Sequence, residues 1–147
     1  MRVAHLVCLL GLTLPTAWLG AQPLVLSDLA QYDKPLTTQP GDPERGRRLV
    51  VDRQQGFCLL CHSGPFTEER FQGTMAPDLS ARAGQRAPAQ LRAQLLHPSL
   101  FNPDTIMPAY GTSATTGWRV HPQFQGKALL QPQDIEDIVA YLMQMTP

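Results

Sequence analysis

One heptapeptide constrains this chain more than any other feature: Gly56-Phe57-Cys58-Leu59-Leu60-Cys61-His62, which holds a single Cys-x-x-Cys-His. Two thiols separated by two residues, followed at once by an imidazole, is the spacing at which both sulfurs reach the vinyl groups of one haem while the histidine becomes an iron ligand. Cys58 and Cys61 therefore read as the attachment points of one covalently bound haem c, and His62 as its first axial ligand. A structural zinc site needs a second cysteine or histidine pair at ligand spacing, and no cysteine follows Cys61. A thioredoxin-type redox pair sits beside a βαβ pattern, which the flanking sequence lacks.

The first 21 residues read as a secretory signal peptide. Met1-Arg2 supplies the positive start, Val3 to Leu14 an apolar run, and Pro15 to Ala21 a breaker followed by small residues. The apolar run is too short to span a bilayer, and no later stretch is apolar enough to do so. Cleavage after Ala21 removes Cys8, and haem attachment consumes the other two of the three cysteines. That leaves no free thiol, which suits an exported protein in an oxidising space. Removal of 21 residues from 147 leaves 126, enough for one domain with one core. Losing Arg2 leaves 11 basic residues against 12 acidic ones, with no basic excess for nucleic acid and no polybasic run for a membrane surface.

Residues 22–41 read as an irregular extension, either wrapping the domain or a partner or forming a plain disordered linker, and residues 42–147 as the domain itself. Asp42 as N-cap and Pro43 as first helical residue predict a helix from Pro43 to about Asp52. Gly46 inside it costs about 1 kcal/mol relative to alanine, which a close helix crossing would offset. Arg45, Arg47 and Arg48 read as its solvated side. A short helix is expected over Pro88 to Leu96, ending at His97. Pro132 to Met145 carries the clearest periodicity, with Ile135, Ile138, Val139, Leu142 and Met145 on one buried face. Asp134, Glu136 and Asp137 place negative charge near its N-terminus, as the helix dipole favours. Tyr141 is expected to cover the bare backbone at Gly46. A terminal helix with glycine paired with one carrying an aromatic residue resembles the crossing beside the haem of class I cytochromes c. The fold expected is thus all-α, with N- and C-terminal helices crossing beside the haem and long loops between.

Four residues are candidates for the sixth iron ligand: Met75, His97, Met107 and His121. Met75 follows His62 by only 13 residues, too few to reach the opposite haem face easily. Met107 lies 45 residues on, between Pro103 and Pro108, in a loop that the prolines stiffen. It is the preferred ligand. His97 reads as a helix-terminal cation and His121 as a loop residue. A thioether opposite an imidazole favours ferrous iron and raises the potential, and six-coordination leaves no open position for a substrate. In class I cytochromes c a proline at about the distance of Pro77 gives its carbonyl to the other nitrogen of the ligating histidine. The resemblance gives Pro77 that role here; a plain turn proline is the alternative.

The likeness narrows further along the chain. Ala76-Pro77-Asp78-Leu79-Ser80, Pro88-Ala89-Gln90-Leu91-Arg92, Asn102-Pro103-Asp104-Thr105-Ile106-Met107-Pro108-Ala109-Tyr110, Gln125-Gly126-Lys127 and Asp134 to Leu142 occur in the order seen in SoxX, which this chain resembles from about Gly41 to Leu142. The Asn-Pro-Asp-Thr-x-Met-Pro-Ala stretch is the most specific part. The resemblance implies the monohaem subunit of a periplasmic heterodimer with SoxA, an L-cysteine S-thiosulfotransferase. That complex joins thiosulfate oxidatively to a cysteine of the carrier SoxYZ. The reactive cysteine belongs to SoxA, and the monohaem subunit passes the released electrons to a small cytochrome. Two other classes stay in view: a free-standing class I cytochrome c shuttle, and a haem enzyme acting alone, such as a peroxidase, which needs a vacant sixth position. Trp118, Arg119, His121 and Phe124 mark the loop Gly111 to Gly126 as a cover for the haem edge or a contact with SoxA, with a self-packed loop whose Trp118 fills space beside the haem as the alternative.

Overall fold

The Asp42 side chain accepts the backbone N–H groups of Glu44 (2.9 Å) and Arg45 (3.1 Å), and with Pro43 next in line the chain has little choice but to turn helical. In the computed structural model, which describes residues 26–111 and 126–146, α1 runs Pro43–Val51. Asp52 ends it by turning its carboxylate onto the N–H groups of Gln54 and Gln55. Three further α-helices follow, α2 over Leu79–Arg82, α3 over Pro88–Leu96 and α4 over Pro132–Leu142. Short 3₁₀ turns occupy Leu26–Tyr32, Cys58–Leu60, Ala83–Gln85 and Pro98–Leu100. Every regular element among the described residues is helical. The expected signal peptide and the loop residues Trp118, Arg119, His121 and Phe124 lie outside the described residues.

The core forms where α1 crosses α4. Leu49 and Val50 of α1 meet Ile135, Ile138, Val139 and Leu142 of α4, and Leu59, Phe66, Leu91, Leu95 and Tyr110 close around them. Gly46 lies at the crossing itself. A Cβ added there would stand 1.9 Å from the carbonyl oxygen of Asp137, so only glycine permits this approach. The α4 backbone, rather than the Tyr141 ring, is what covers Gly46. Tyr141 packs instead against Phe66, with ring centres 6.2 Å apart.

Regular helix in α4 stops at Leu142, short of the expected Met145, because the last turn tightens to the bonds Gln144 N–H to Tyr141 O and Met145 N–H to Leu142 O. Met145 is buried all the same. The charges at this crossing also pair with one another, with Asp134 in the first turn of α4 as the helix dipole favours and the arginines keeping part of their surface in solvent. Arg45 forks onto Asp134 and Asp137, and Arg47 pairs with Glu68. Asp137 is 1% exposed and accepts from the Asp42 N–H (2.8 Å) and from Gln133 Nε2 (2.8 Å). Burial alone would raise its carboxyl. The bonds from Asp42, Gln133 and Arg45 outweigh that and hold it below the usual carboxylate range.

The chain before α1 is more ordered than an irregular extension. Leu29 and Tyr32 are buried against Ala89 and Ala93 of α3, forming a second small core. Beside it lies an ion pair of Arg92 and Glu136, both about 95% buried, with Nε–Oε1 2.7 Å and Nη2–Oε2 2.9 Å. Arg92 also donates to the Tyr32 carbonyl (3.1 Å), and Glu136 accepts the Leu36 N–H (2.9 Å). One buried pair therefore fastens three segments, α3, α4 and the lead-in, with every strong donor and acceptor used.

Candidate haem site

The attachment motif folds as a tight turn. Phe57 takes a left-handed backbone (φ 57°), which swings the chain into the 3₁₀ turn Cys58–Leu60. The N–H groups of Cys61 (3.1 Å) and His62 (2.9 Å) both donate to the Cys58 carbonyl. Residues three apart in a 3₁₀ turn eclipse one another, so the two thiols project on one side of it. Cys58 is 9% exposed, Cys61 half-buried, and neither is in a disulfide. Burial pushes the Cys58 thiol up to about 11, against a lowering bond from the Tyr110 hydroxyl, so the thiol is neutral.

His62 leaves this turn toward the segment that follows. Its Nδ1 lies 2.6 Å from the Pro77 carbonyl oxygen. A carbonyl can only accept, so Nδ1 carries a proton and Nε2 is the ring nitrogen left for a ligand. The neighbouring residues hold this arrangement closed. Leu79 N–H donates to the Ser63 carbonyl (2.8 Å), and Ser63 Oγ donates to the Asp78 carboxylate (2.8 Å). Asp78 also caps α2 through the Ser80 N–H (2.9 Å), and bonds from Ser80 and Ser63 hold its carboxyl below the usual range. Farther back, Ala76 N–H donates to the Cys61 carbonyl and Gly73 N–H to that of Leu59, both at 2.9 Å. The Gly73 approach tolerates no side chain, since a Cβ would stand 2.3 Å from the Leu60 carbonyl oxygen.

Met107 sits in a loop whose shape its own sequence sets. The Asn102 side chain accepts from the Asp104 N–H (3.0 Å) and the Thr105 hydroxyl accepts from the Met107 N–H (3.1 Å), two side-chain turns around fixed prolines. Tyr110 then ties the loop to α3 through its N–H and the Leu95 carbonyl (2.9 Å). Met107 packs half-buried against the main core. The other candidates are placed differently. Met75 is 69% exposed. His97 caps α3, and its Nδ1 faces the Tyr32 hydroxyl at 2.7 Å, which engages it in holding the lead-in. His121 lies outside the described residues.

Two thiols on one side of a turn suit thioether bonds to the vinyl groups of one haem, and an imidazole with its Nδ1 proton held and a half-buried thioether are the two donor types that a haem iron takes. Ser63 carries no signal in the sequence because it acts through Asp78, 15 residues on. The Arg92–Glu136 pair escaped the sequence reading for the same reason, although an arginine flanked by Leu91, Ala93 and Leu95 was a signal that something must neutralise it.

No protein-family profile matches the sequence, and no curated protein does. Among solved structures, the crystal structure of SoxXA from P. pantotrophus matches with a TM-score of 0.65 and 29% identity, over 78% of this chain and 89% of that one. The helical architecture and this match together define a protein of the class I cytochrome c fold. No helix among the described residues is long and apolar enough to cross a membrane. Within that class, the chain is similar to SoxXA.

Proposed function

We infer that this chain is the electron-accepting monohaem subunit of a periplasmic SoxAX complex, exported by residues 1–21. Cys58 and Cys61 would hold one haem through thioether bonds, and His62 and Met107 would supply the donors to its iron. Bound there, the haem supplies a one-electron redox centre. Pro77 keeps the proton on His62 Nδ1 and so presents Nε2 for ligation, while Ser63 and Asp78 stop the imidazole from turning. The Asn102 and Thr105 turns aim the Met107 sulfur. With both axial positions filled by protein, the chain has no place for substrate, and the bond-making chemistry belongs to SoxA.

There, a carrier thiolate of SoxYZ and the terminal sulfur of thiosulfate join in a sulfur–sulfur bond, and two electrons leave. This chain accepts them one at a time and hands each to a small cytochrome. The single observation that carries the reading is the match to SoxXA, which is 29% identical and covers 78% of the chain. The test is co-expression with a SoxA subunit. The two chains are expected to co-purify, and haem on this chain is expected to become reduced by thiosulfate only when SoxA and SoxYZ are both present. Purification alone, with reduction by any small donor and none that depends on thiosulfate, would instead make it a free-standing shuttle.

A further inference from the structure

Gln94 lies near the end of α3, and its amide bridges Arg86 and Met107. Its Nε2 stands 3.5 Å from the Met107 sulfur, within the range of an N–H···S hydrogen bond. Its Oε1 receives Nη1 of Arg86 at 3.0 Å. The orientation of the amide follows from the partner. A guanidinium can only donate, so the atom facing Arg86 must be the oxygen and the atom facing Met107 must be the nitrogen. Arg86 is itself held, since its guanidinium lies 5.6 Å from the centre of the Phe101 ring. Phe101, Arg86, Gln94 and Met107 thus form a chain of contacts that ends on the thioether.

We propose that Gln94, aimed by Arg86, is a positioning residue for the Met107 thioether. This rests on the reading of Met107 as an axial ligand. The sulfur has two lone pairs. An N–H on one fixes the side chain so that the other is presented to iron, which lowers the freedom Met107 must lose on ligation. The same N–H puts the positive end of an amide dipole beside the ligand, and positive potential disfavours the more highly charged ferric state. Gln94 therefore holds the sulfur on the iron and raises the potential.

Gln94→Leu removes the donor at similar size, and Gln94→Glu keeps a partner for Arg86 but turns an acceptor toward the sulfur. Both are expected to lower the midpoint potential, Gln94→Glu the more because its charge favours ferric iron. Both are expected to weaken the far-red ferric iron–methionine band and to raise ferric affinity for added imidazole by roughly threefold to tenfold, the worth of one hydrogen bond. Arg86→Leu, which frees the amide to turn, shifts the same three readouts in the same direction by less. A merely structural Gln94 predicts lost stability with potential, band and imidazole affinity unchanged. That result, with the band abolished in Met107→Ala, overturns the proposal and leaves the axial reading intact. A wild-type band that survives Met107→Ala overturns both. If Gln94→Leu fails to fold, Gln94→Glu and Arg86→Leu decide by the same readouts.

Discussion

Replacing Gly46 by alanine tests the helix crossing on which the site is built, because the sign of the effect depends on it. In an exposed helix this change stabilises by about 1 kcal/mol. Here the new Cβ would stand 1.9 Å from the Asp137 carbonyl oxygen and 2.4 Å from its carbon, both backbone atoms. Ordinary C···O contacts lie near 3.3 Å, so the helices must separate by roughly 1.4 Å at their closest point. Leu49 and Val50 then draw away from Ile135 and Ile138, and the Arg45 fork on Asp134 and Asp137 opens. Overpacking of this kind costs about 3 kcal/mol at the upper end of the usual range, and the propensity gain returns about 1, for a net loss of about 2 kcal/mol. With a urea slope of about 2 kcal/mol per molar, the unfolding midpoint of the haem-loaded protein should fall by about 1 M. An alanine variant as stable as the parent, or more so, would refute the crossing at Gly46.

The Arg92–Glu136 pair gives a second prediction: Arg92→Met or Glu136→Leu alone should each cost about 3–5 kcal/mol by stranding a buried charge, whereas the double variant should lose less than either, as read by a double-mutant cycle on urea unfolding. The third concerns acid. Asp137 has a folded pKa below its unfolded value of about 3.9, so its contribution is fully present above that value and is lost as the pH falls through it toward the folded pKa. Asp137→Asn should be less stable than the parent at pH 7, with a flatter fall in stability below about pH 5, followed by urea midpoints across that range.

The start of α1, the whole of α3 and the buried stripe of α4 were legible because their signals are local: a cap, a proline, an apolar residue every third or fourth place. Gly46 was legible too, since a helix-interior glycine needs a reason. What covers it was not, because a sequence shows no backbone, and the aromatic residue was the visible candidate. Arg45 looked like solvated charge and Asp137 like a charge placed for the helix dipole, for want of any sign that they meet 92 residues apart. Residues 26–32 looked irregular because Leu29 and Tyr32 alone give no period, and their partners are Ala89 and Ala93, which carry no pattern of their own. In the site, the Cys-x-x-Cys-His spacing spoke for itself, whereas the pairing of His62 with Pro77 came through resemblance. Ser63, Asp78 and Gln94 became visible only once α2, α3 and the Met107 loop were in place.

The central claim is that Cys58 and Cys61 carry one haem through covalent bonds. Intact-mass spectrometry of the exported protein after extraction with acidified acetone tests it directly. The mass of the mature chain plus one haem, unchanged by the extraction, is expected; the bare chain with both thiols free contradicts covalent attachment.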